Sequence, residues 1–354
     1  MDMEGVVRAG YSQRLVDPSV AIGRASEQVC CAEAYATELL AAIPKAIVEA
    51  DFGCGNPSRY VRTGDTVLDL GSGSGKICYM LSQIVGPHGR VIGVDLNSDM
   101  LALARSHQQA FADRIGYDNM VFAMARIQDL ATDLEAIGAA LAEAPITTVD
   151  ALLDAMVALR VRAAATPLIP DGSVDVVVSN CVINLVEAGE KQRVFREMFR
   201  VLKVGGRIAI SDNVSSIPVP EEIANDPGLW AGCYAGVLQE QVFYRALEAA
   251  GFARITVETR REMSDRRIGE VDFISVTVTA VRPPSASAET RAADGRNVTL
   301  IYRGPWHSVT DDMQQVFRRG EPTHVSTDYA ESLAADGANA MFHVAAAAPA
   351  GCSG

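Results

Sequence analysis

Apolar residues in this chain fall into short, nearly continuous runs, separated by stretches in which they recur every three or four positions. Thr66–Leu70, Arg90–Asp95, Met120–Ala125, Val174–Ser179 and Arg207–Ser211 are runs of the first kind. The run V-D-V-V-V-S at Val174–Ser179 is too uniformly apolar for a strand with one wet face, which predicts a central parallel strand covered on both sides. Between the runs, Lys76–Ile84, the stretch from Asn97 towards Ile115, Lys191–Leu202 and Gln241–Ala250 read as helices, and Asn97 is placed to cap its own. Ile255–Thr259 and Phe273–Ala280 add two late strands. Strands alternating with helices predict an α/β class protein with a doubly wound, Rossmann-like sheet.

The flanks read differently. Residues 1–50 form an N-terminal helical segment, mostly helix from Tyr11 to about Val48, carrying Cys30 and Cys31. Residues 51–282 hold the alternating core. Within it, 129–170 reads as an insertion, where Leu152, Leu153, Met156 and Leu159 recur at helical spacing and predict a helical hairpin on the surface. Arg282–Arg296, with R-P-P-S-A-S-A, reads as a linker. Residues 283–354 thus comprise that linker and a small α+β appendage. Its expected elements are a strand at Val298–Tyr302, a helix at Asp328–Leu333 and a strand at Met341–Ala346.

Composition narrows the function. A net charge of −13 leaves nothing to neutralise phosphates, so nucleic acid is not an expected partner. The same charge argues against a polybasic membrane anchor, and no apolar run is long enough for a bilayer. The N-terminus M-D-M-E-G lacks the basic and apolar regions of a secretory signal, so a cytoplasmic location is expected. Seven scattered cysteines, with no C-x-x-C pair and no H-x-x-x-H spacing, favour free thiols over a disulfide scaffold or a conventional zinc site.

The strand at Thr66–Leu70 runs into D-L-G-S-G-S-G, so Gly71, Gly73 and Gly75 open the next helix. Such a loop lets a ligand approach the backbone closely. Asp95 ends the following strand about twenty residues on, the spacing of a ribose-binding acid. Asp69, just before the first glycine, suits a cationic amino group better than a pyrophosphate. That favours S-adenosylmethionine over a dinucleotide. Candidate cofactor-binding residues are Asp69, Gly71, Ser72, Gly73, Asp95, Leu96, Ile127, Gln128, Ser179 and Asn180. Ile127 and Gln128 follow the third strand and would flank an adenine. Ile127 reads equally well as core.

The stretches F-G-C-G-N-P (Phe52–Pro57), V-L-D-L-G-S-G-S-G, C-Y-M-L-S-Q-I-V-G, V-I-G-V-D, S-N-C-V-I-N-L (Ser179–Leu185), R-V-F-R-E-M-F-R-V-L-K and D-P-G-L-W-A-G-C (ending at Cys233) occur in order over residues 25–282. Together they resemble the arsenite methyltransferase family, and L-I-Y-R-G-P-W with R-R-G-E-P resembles an appendage of its bacterial members. The resemblance implies a class I methyltransferase fold and assigns Cys181 and Cys233 as ligands of trivalent arsenic. It makes Cys54 a third ligand or a disulfide partner of Cys181, and Cys30 the relay that carries the disulfide outward. It also implies arsenite or its glutathione complexes as substrate, and thioredoxin or glutathione as reductant.

The chemistry is coherent without the family. Arsenic(III) is soft and prefers thiolates. Its lone pair can attack a sulfonium methyl group, and a cysteine pair can return the oxidised product to the trivalent state. Three departures from the family are visible: Ile77 and Gly232 stand where relatives carry acids, and the 129–170 insertion is unusually long. Cys78 reads as core and Cys352 as an idle tail thiol. Asn180 and Asn184 either orient a ligand or cap the turn. Two other readings stay open: methylation of another soft centre (selenium, tellurium, antimony or an organic thiol), and metalloid binding without turnover.

Overall fold

The computed structural model describes residues 3–17, 35–50, 53, 55–284, 297–304, 306–311, 313–335 and 341–345. Cys30, Cys31, Cys54 and Cys352 lie outside the described residues. The chain divides into two compact units, Met1–Arg282 and Pro283–Gly354.

The first unit begins with helices α1 (Met3–Val16), α2 (Thr37–Ala41) and α3 (Lys45–Glu49). Then strands and helices alternate: β1 (Thr66–Leu70), α4 (Lys76–Val85), β2 (Arg90–Asp95), α5 (Ser98–Ser106), α6 (Gln108–Ile115), β3 (Met120–Met124), α7 (Leu134–Glu143), α8 (Val149–Ala165), β4 (Val174–Asn180), α9 (Lys191–Val201) and β5 (Leu202–Ser215). Short helices α10 (Glu221–Ala224) and α11 (Pro227–Ala231) precede α12 (Glu240–Ala250), β6 (Ala253–Ile268) and β7 (Val271–Val281).

The sheet order is β3-β2-β1-β4-β5-β7-β6. The first five strands run parallel, and β7 inserts antiparallel between β5 and β6. The order reverses between β1 and β4. Their carboxyl ends therefore diverge and leave the crevice in which open α/β sheets bind ligands. Val176, Val177 and Val178 of β4 are fully buried, as its continuous apolar run predicts.

Apolar layers close both faces. On one, Tyr79 of α4 meets Phe111 of α6 edge-to-face at 4.7 Å. On the other, Phe195 of α9 meets Phe243 of α12 at 5.8 Å. Each buried ring contributes about 1.5–3 kcal/mol through area removed from water. Asn97 caps α5 through the backbone N–H groups of Asp99 and Met100. The single helix expected from Asn97 to Ile115 breaks at His107 into α5 and α6.

Two features exceed the expectations. β5, β6 and β7 are 14, 16 and 11 residues long, because their outer halves continue as an antiparallel ribbon. The insertion forms the expected helices α7 and α8, yet neither buries a residue, and Val149, Leu153, Val157 and Val161 of α8 face solvent.

The second unit contains β8 (Asn297–Tyr302), β9 (Ser308–Thr310), β10 (Val316–Arg318), β11 (Pro322–Ser326), α13 (Thr327–Ala335) and β12 (Phe342–Ala345). Strands β11-β8-β12 form an antiparallel sheet, and β9 pairs with β10. Phe317 packs edge-to-face on Phe342 at 4.9 Å in a small aromatic core. The sequence patterns miss β9, β10 and β11, which at three to five residues are too short for a period to register.

Candidate active site

A cleft of about 380 Å³ opens at the carboxyl ends of β1, β2 and β4. Of the residues read as cofactor-binding, Asp69, Gly71, Ser72, Gly73, Asp95, Leu96, Ile127, Gln128 and Asn180 line it together. Ser179 does not. It is fully buried within β4, behind the cleft wall.

The loop after β1 owes its path to glycine. Gly71 holds φ 67°, and a Cβ there would lie 2.4 Å from the Val182 side chain. Gly73 holds φ 51°, and a Cβ there would meet nothing within 4 Å. Bare backbone therefore faces the open cleft at this point. Asp95 fastens the loop from the neighbouring strand: Gly73 N–H donates to its Oδ2 at 2.8 Å, and Asn97 N–H donates to Oδ1 at 2.8 Å. Burial nevertheless holds the Asp95 carboxyl above its ordinary range, against the pull of these bonds.

Asp69 is 2% exposed and accepts the Cys78 thiol at 3.2 Å. Burial, then the Asp69 charge, push that thiol well up, so Cys78 is a protonated clamp on Asp69 as well as core. The Ser72 hydroxyl is buried at the cleft with no partner among the described residues. A cradle of bare backbone, two enclosed carboxylates and an unengaged hydroxyl fits a ligand with ribose hydroxyls and a cationic amino group.

The thiol side lies at the end of β4. Cys181 lines the cleft, and its N–H donates to the Ser211 carbonyl at 2.8 Å. Cys181 and Cys233 hold φ of 58° and 63°, two of four non-glycine residues with positive φ among the described residues. Both backbones thus take a conformation that costs a side chain about 1–2 kcal/mol. Cys233 follows α11, whose start is capped by Asp226 through the N–H groups of Gly228 and Leu229. Its Sγ donates to the Cys181 carbonyl at 3.2 Å. Cys181 is disulfide-bonded, while Cys233 and Cys78 carry free thiols. Leu229, Trp230, Tyr234, Val271 and Phe273 enclose the two cysteines in a dry cluster.

The segment carrying Cys54 is tied to this region by its flanking residues. Gly53 lines the cleft. Gly55 N–H donates to Asn180 Oδ1 at 3.0 Å, and Asn180 Nδ2 donates to the Gly55 carbonyl at 2.9 Å. Asn180 thus lines the cleft and also anchors this segment. Asn184 is different: it is buried away from the cleft, bonded to Asp212 Oδ1 at 2.7 Å and to the Asn213 carbonyl at 2.8 Å.

Sequence patterns miss two groups of residues. One is a buried pair beneath the thiol loop. Lys191 Nζ donates to the Ile183 carbonyl at 2.5 Å, and Asp212 accepts the Ile183 N–H at 3.0 Å. Burial lowers the Lys191 pKa to about 7 and raises that of Asp212 to about 6. The other is α1, which roofs the cleft with Glu4, Val7, Arg8 and Tyr11. Asn97 Nδ2 donates to the Arg8 carbonyl at 3.1 Å, and Arg126 pairs with Glu4 at 2.7 Å. Asp212 stands inside an apolar run and could have been noticed, whereas Lys191 stands in the polar stretch G-E-K-Q-R and gave no signal. The second group left no local signal.

Residues 62–251 match the family model described as a methyltransferase domain, and residues 289–349 match a domain of unknown function. The chain is 35% identical over 241 residues to an arsenite methyltransferase of Halobacterium salinarum, covering 65% of this chain and spanning half the length of that relative. It is 31% identical over 277 residues to an arsenite methyltransferase of Aquipseudomonas alcaligenes, covering 77% of this chain and 69% of the relative. A solved structure of an arsenic(III) S-adenosylmethionine methyltransferase from Chlamydomonas reinhardtii aligns with a TM-score of 0.58 at 30% identity, over 87% of this chain and 94% of that one.

Proposed function

The chain belongs to the arsenite methyltransferase family, and from that premise we propose that it transfers methyl groups from S-adenosylmethionine to thiolate-bound trivalent arsenic. The observation that carries this reading is the convergence of Cys181, on the wall of the Asp69–Asp95 cleft, with Cys233, whose sulfur lies 3.2 Å from the Cys181 carbonyl. Cys181 thus belongs both to the cleft that suits the methyl donor and to the apolar cluster that holds Cys233.

When bound, S-adenosylmethionine supplies an electrophilic sulfonium methyl group. Asp95 would hold its ribose hydroxyls, Asp69 its amino group, and Ile127 with Gln128 the adenine. Cys181, Cys233 and Cys54 would displace oxygen ligands from arsenite and leave the arsenic lone pair directed at the methyl group. The chain's chief contribution is positioning. Methyl transfer would form an As–C bond in place of the donor's S–CH₃ bond and formally oxidise arsenic from +3 to +5. Two cysteine thiolates would return it to +3 by giving up two electrons and closing a disulfide.

Cys54 is proposed as the disulfide partner of Cys181. Support comes from the disulfide-bonded state of Cys181, the free thiols of Cys78 and Cys233, and the bonds from Asn180 to Gly55. Cys30 is proposed as the outward relay, with thioredoxin or glutathione as terminal reductant. Among the described residues no helix is long and apolar enough to cross a membrane.

The test is S-adenosylhomocysteine release with arsenite and glutathione, with arsenic speciation by mass, for wild type and Cys181→Ser. Methylated arsenic from wild type alone is expected. Turnover of selenite, antimonite or a small thiol in place of arsenite would move the reading to another soft centre. Tight arsenite binding without turnover would leave a binding protein.

A further inference from the structure

Tyr11 sits on α1, more than two hundred residues before Cys233, yet its hydroxyl is hydrogen-bonded to the Cys233 side chain. Tyr11 lines the cleft, whereas Cys233 does not, so the phenol links the cleft to this thiol. The placement is built rather than incidental. Val7, one turn earlier on α1, packs against the apolar cluster that holds Cys181 and Cys233. The Asn97 and Arg126 contacts pin α1 to the loops that follow β2 and β3.

We propose that Tyr11 is a positioning residue of the thiol site. Its hydroxyl donates to Cys233 Sγ, and the Cys233 S–H donates in turn to the Cys181 carbonyl. The sulfur is thereby held between two fixed groups. Cysteine has one rotatable carbon–carbon torsion, and two hydrogen bonds to fixed partners favour one of its three rotamers. Because the donor rides on α1, the helix that roofs the cleft is also part of the thiol site. Burial pushes the Tyr11 phenol well above its ordinary range.

This role rests on the proposed arsenic chemistry for its functional consequence, but the Tyr11–Cys233 link is testable without it. The variants are Tyr11→Phe, which removes only the hydroxyl, and Tyr11→Ala, which removes the ring as well. For Tyr11→Phe the expected result is a three- to tenfold rise in KM for arsenite, with S-adenosylhomocysteine affinity within twofold of wild type. An unchanged arsenite KM, or equal losses for both ligands, overturns the proposal, since a merely structural role would loosen the whole cleft.

The second readout is alkylation of Cys233 by N-ethylmaleimide, mapped by peptide mass, with fully buried Cys78 as internal reference. Tyr11→Ala is expected to raise the Cys233-to-Cys78 labelling ratio at least threefold. An unchanged ratio overturns the link. If wild type proves inert towards arsenite, the arsenic reading fails alone, and the labelling ratio still decides whether Tyr11 covers and holds Cys233.

Discussion

The Cys233 thiol donates to the carbonyl of Cys181 across 3.2 Å, and both residues hold left-handed backbone angles. Two chain reversals, one after β4 and one after α11, thus bring together cysteines 52 positions apart. The strain is local, because in each case a side chain occupies a conformation that suits glycine. Removing Cβ at Cys233 relieves it. Cys233→Gly is therefore expected to be no less stable than Cys233→Ala in urea unfolding, despite the smaller side chain. Both variants should lose arsenite turnover. An alanine variant more stable than the glycine variant by over about 1 kcal/mol would show that φ at this position carries no strain.

Asp95 has a different kind of claim on the site. Its oxygens already accept the Gly73 and Asn97 amides, which fix the glycine loop and leave acceptor capacity towards the cleft. Asp95→Ala removes both the loop fastening and the proposed ribose contact. A hydrogen bond to a charged group contributes about 1.5–3 kcal/mol. Titration calorimetry should accordingly show S-adenosylhomocysteine bound at least tenfold more weakly. Arsenite affinity should hold within twofold, since Cys181 and Cys233 are held by other residues.

The cofactor half of this site was legible because its determinants are local. A strand, three glycines and an acid at the end of the next strand lie within thirty residues, and each has a steric or electrostatic reason to be there. Cys181 and Cys233 were legible through their surrounding motifs, although their strained angles were not. Tyr11 was invisible, because its meaning depends on a contact across the whole unit. Lys191 reads in sequence as one more polar position on an amphipathic helix. Only the fold turns it to 2% exposure above β5. The exposed apolar ridge of α8 also escaped, since helical spacing predicts a helix but not what covers it.

Gly55 offers a test of how tightly the Cys54 segment must be held. A Cβ there would lie 2.6 Å from both Cβ and Oγ of Ser211, a side chain that is itself 1% exposed. Ser211 is bonded to Thr277 at 3.0 Å and has no room to retreat. Gly55→Ala should push the segment away from β5 and break its bonds to Asn180. The expected cost is about 1–3 kcal/mol of stability. Arsenite turnover should fall more than tenfold with S-adenosylhomocysteine affinity nearly intact, measured side by side. Equal losses in both would mean that the segment supports the cofactor cleft rather than the thiol site.

The buried Lys191–Asp212 pair sets a pH dependence whose sign can be worked out. Asp212 titrates near 6 in the folded chain and near 3.8 when unfolded. The folded state keeps a proton that the unfolded state releases, so this group's stability contribution is present below about pH 4 and lost as pH rises through 6. Lys191 titrates near 7 when folded and 10.5 when unfolded. Its contribution is present above 10.5 and lost as pH falls through 7. Between about 6 and 7 both groups are charged and the desolvation cost is greatest. Removing one partner leaves the other charge buried and alone, so Lys191→Met should destabilise by about 3–5 kcal/mol. The double variant Lys191→Met with Asp212→Asn should recover much of that loss. It should also lack the decline in stability expected of wild type between pH 4 and 6. Urea midpoints taken from pH 4 to 9 on the three proteins decide the matter: a double variant with the wild-type pH profile would mean that other groups set it.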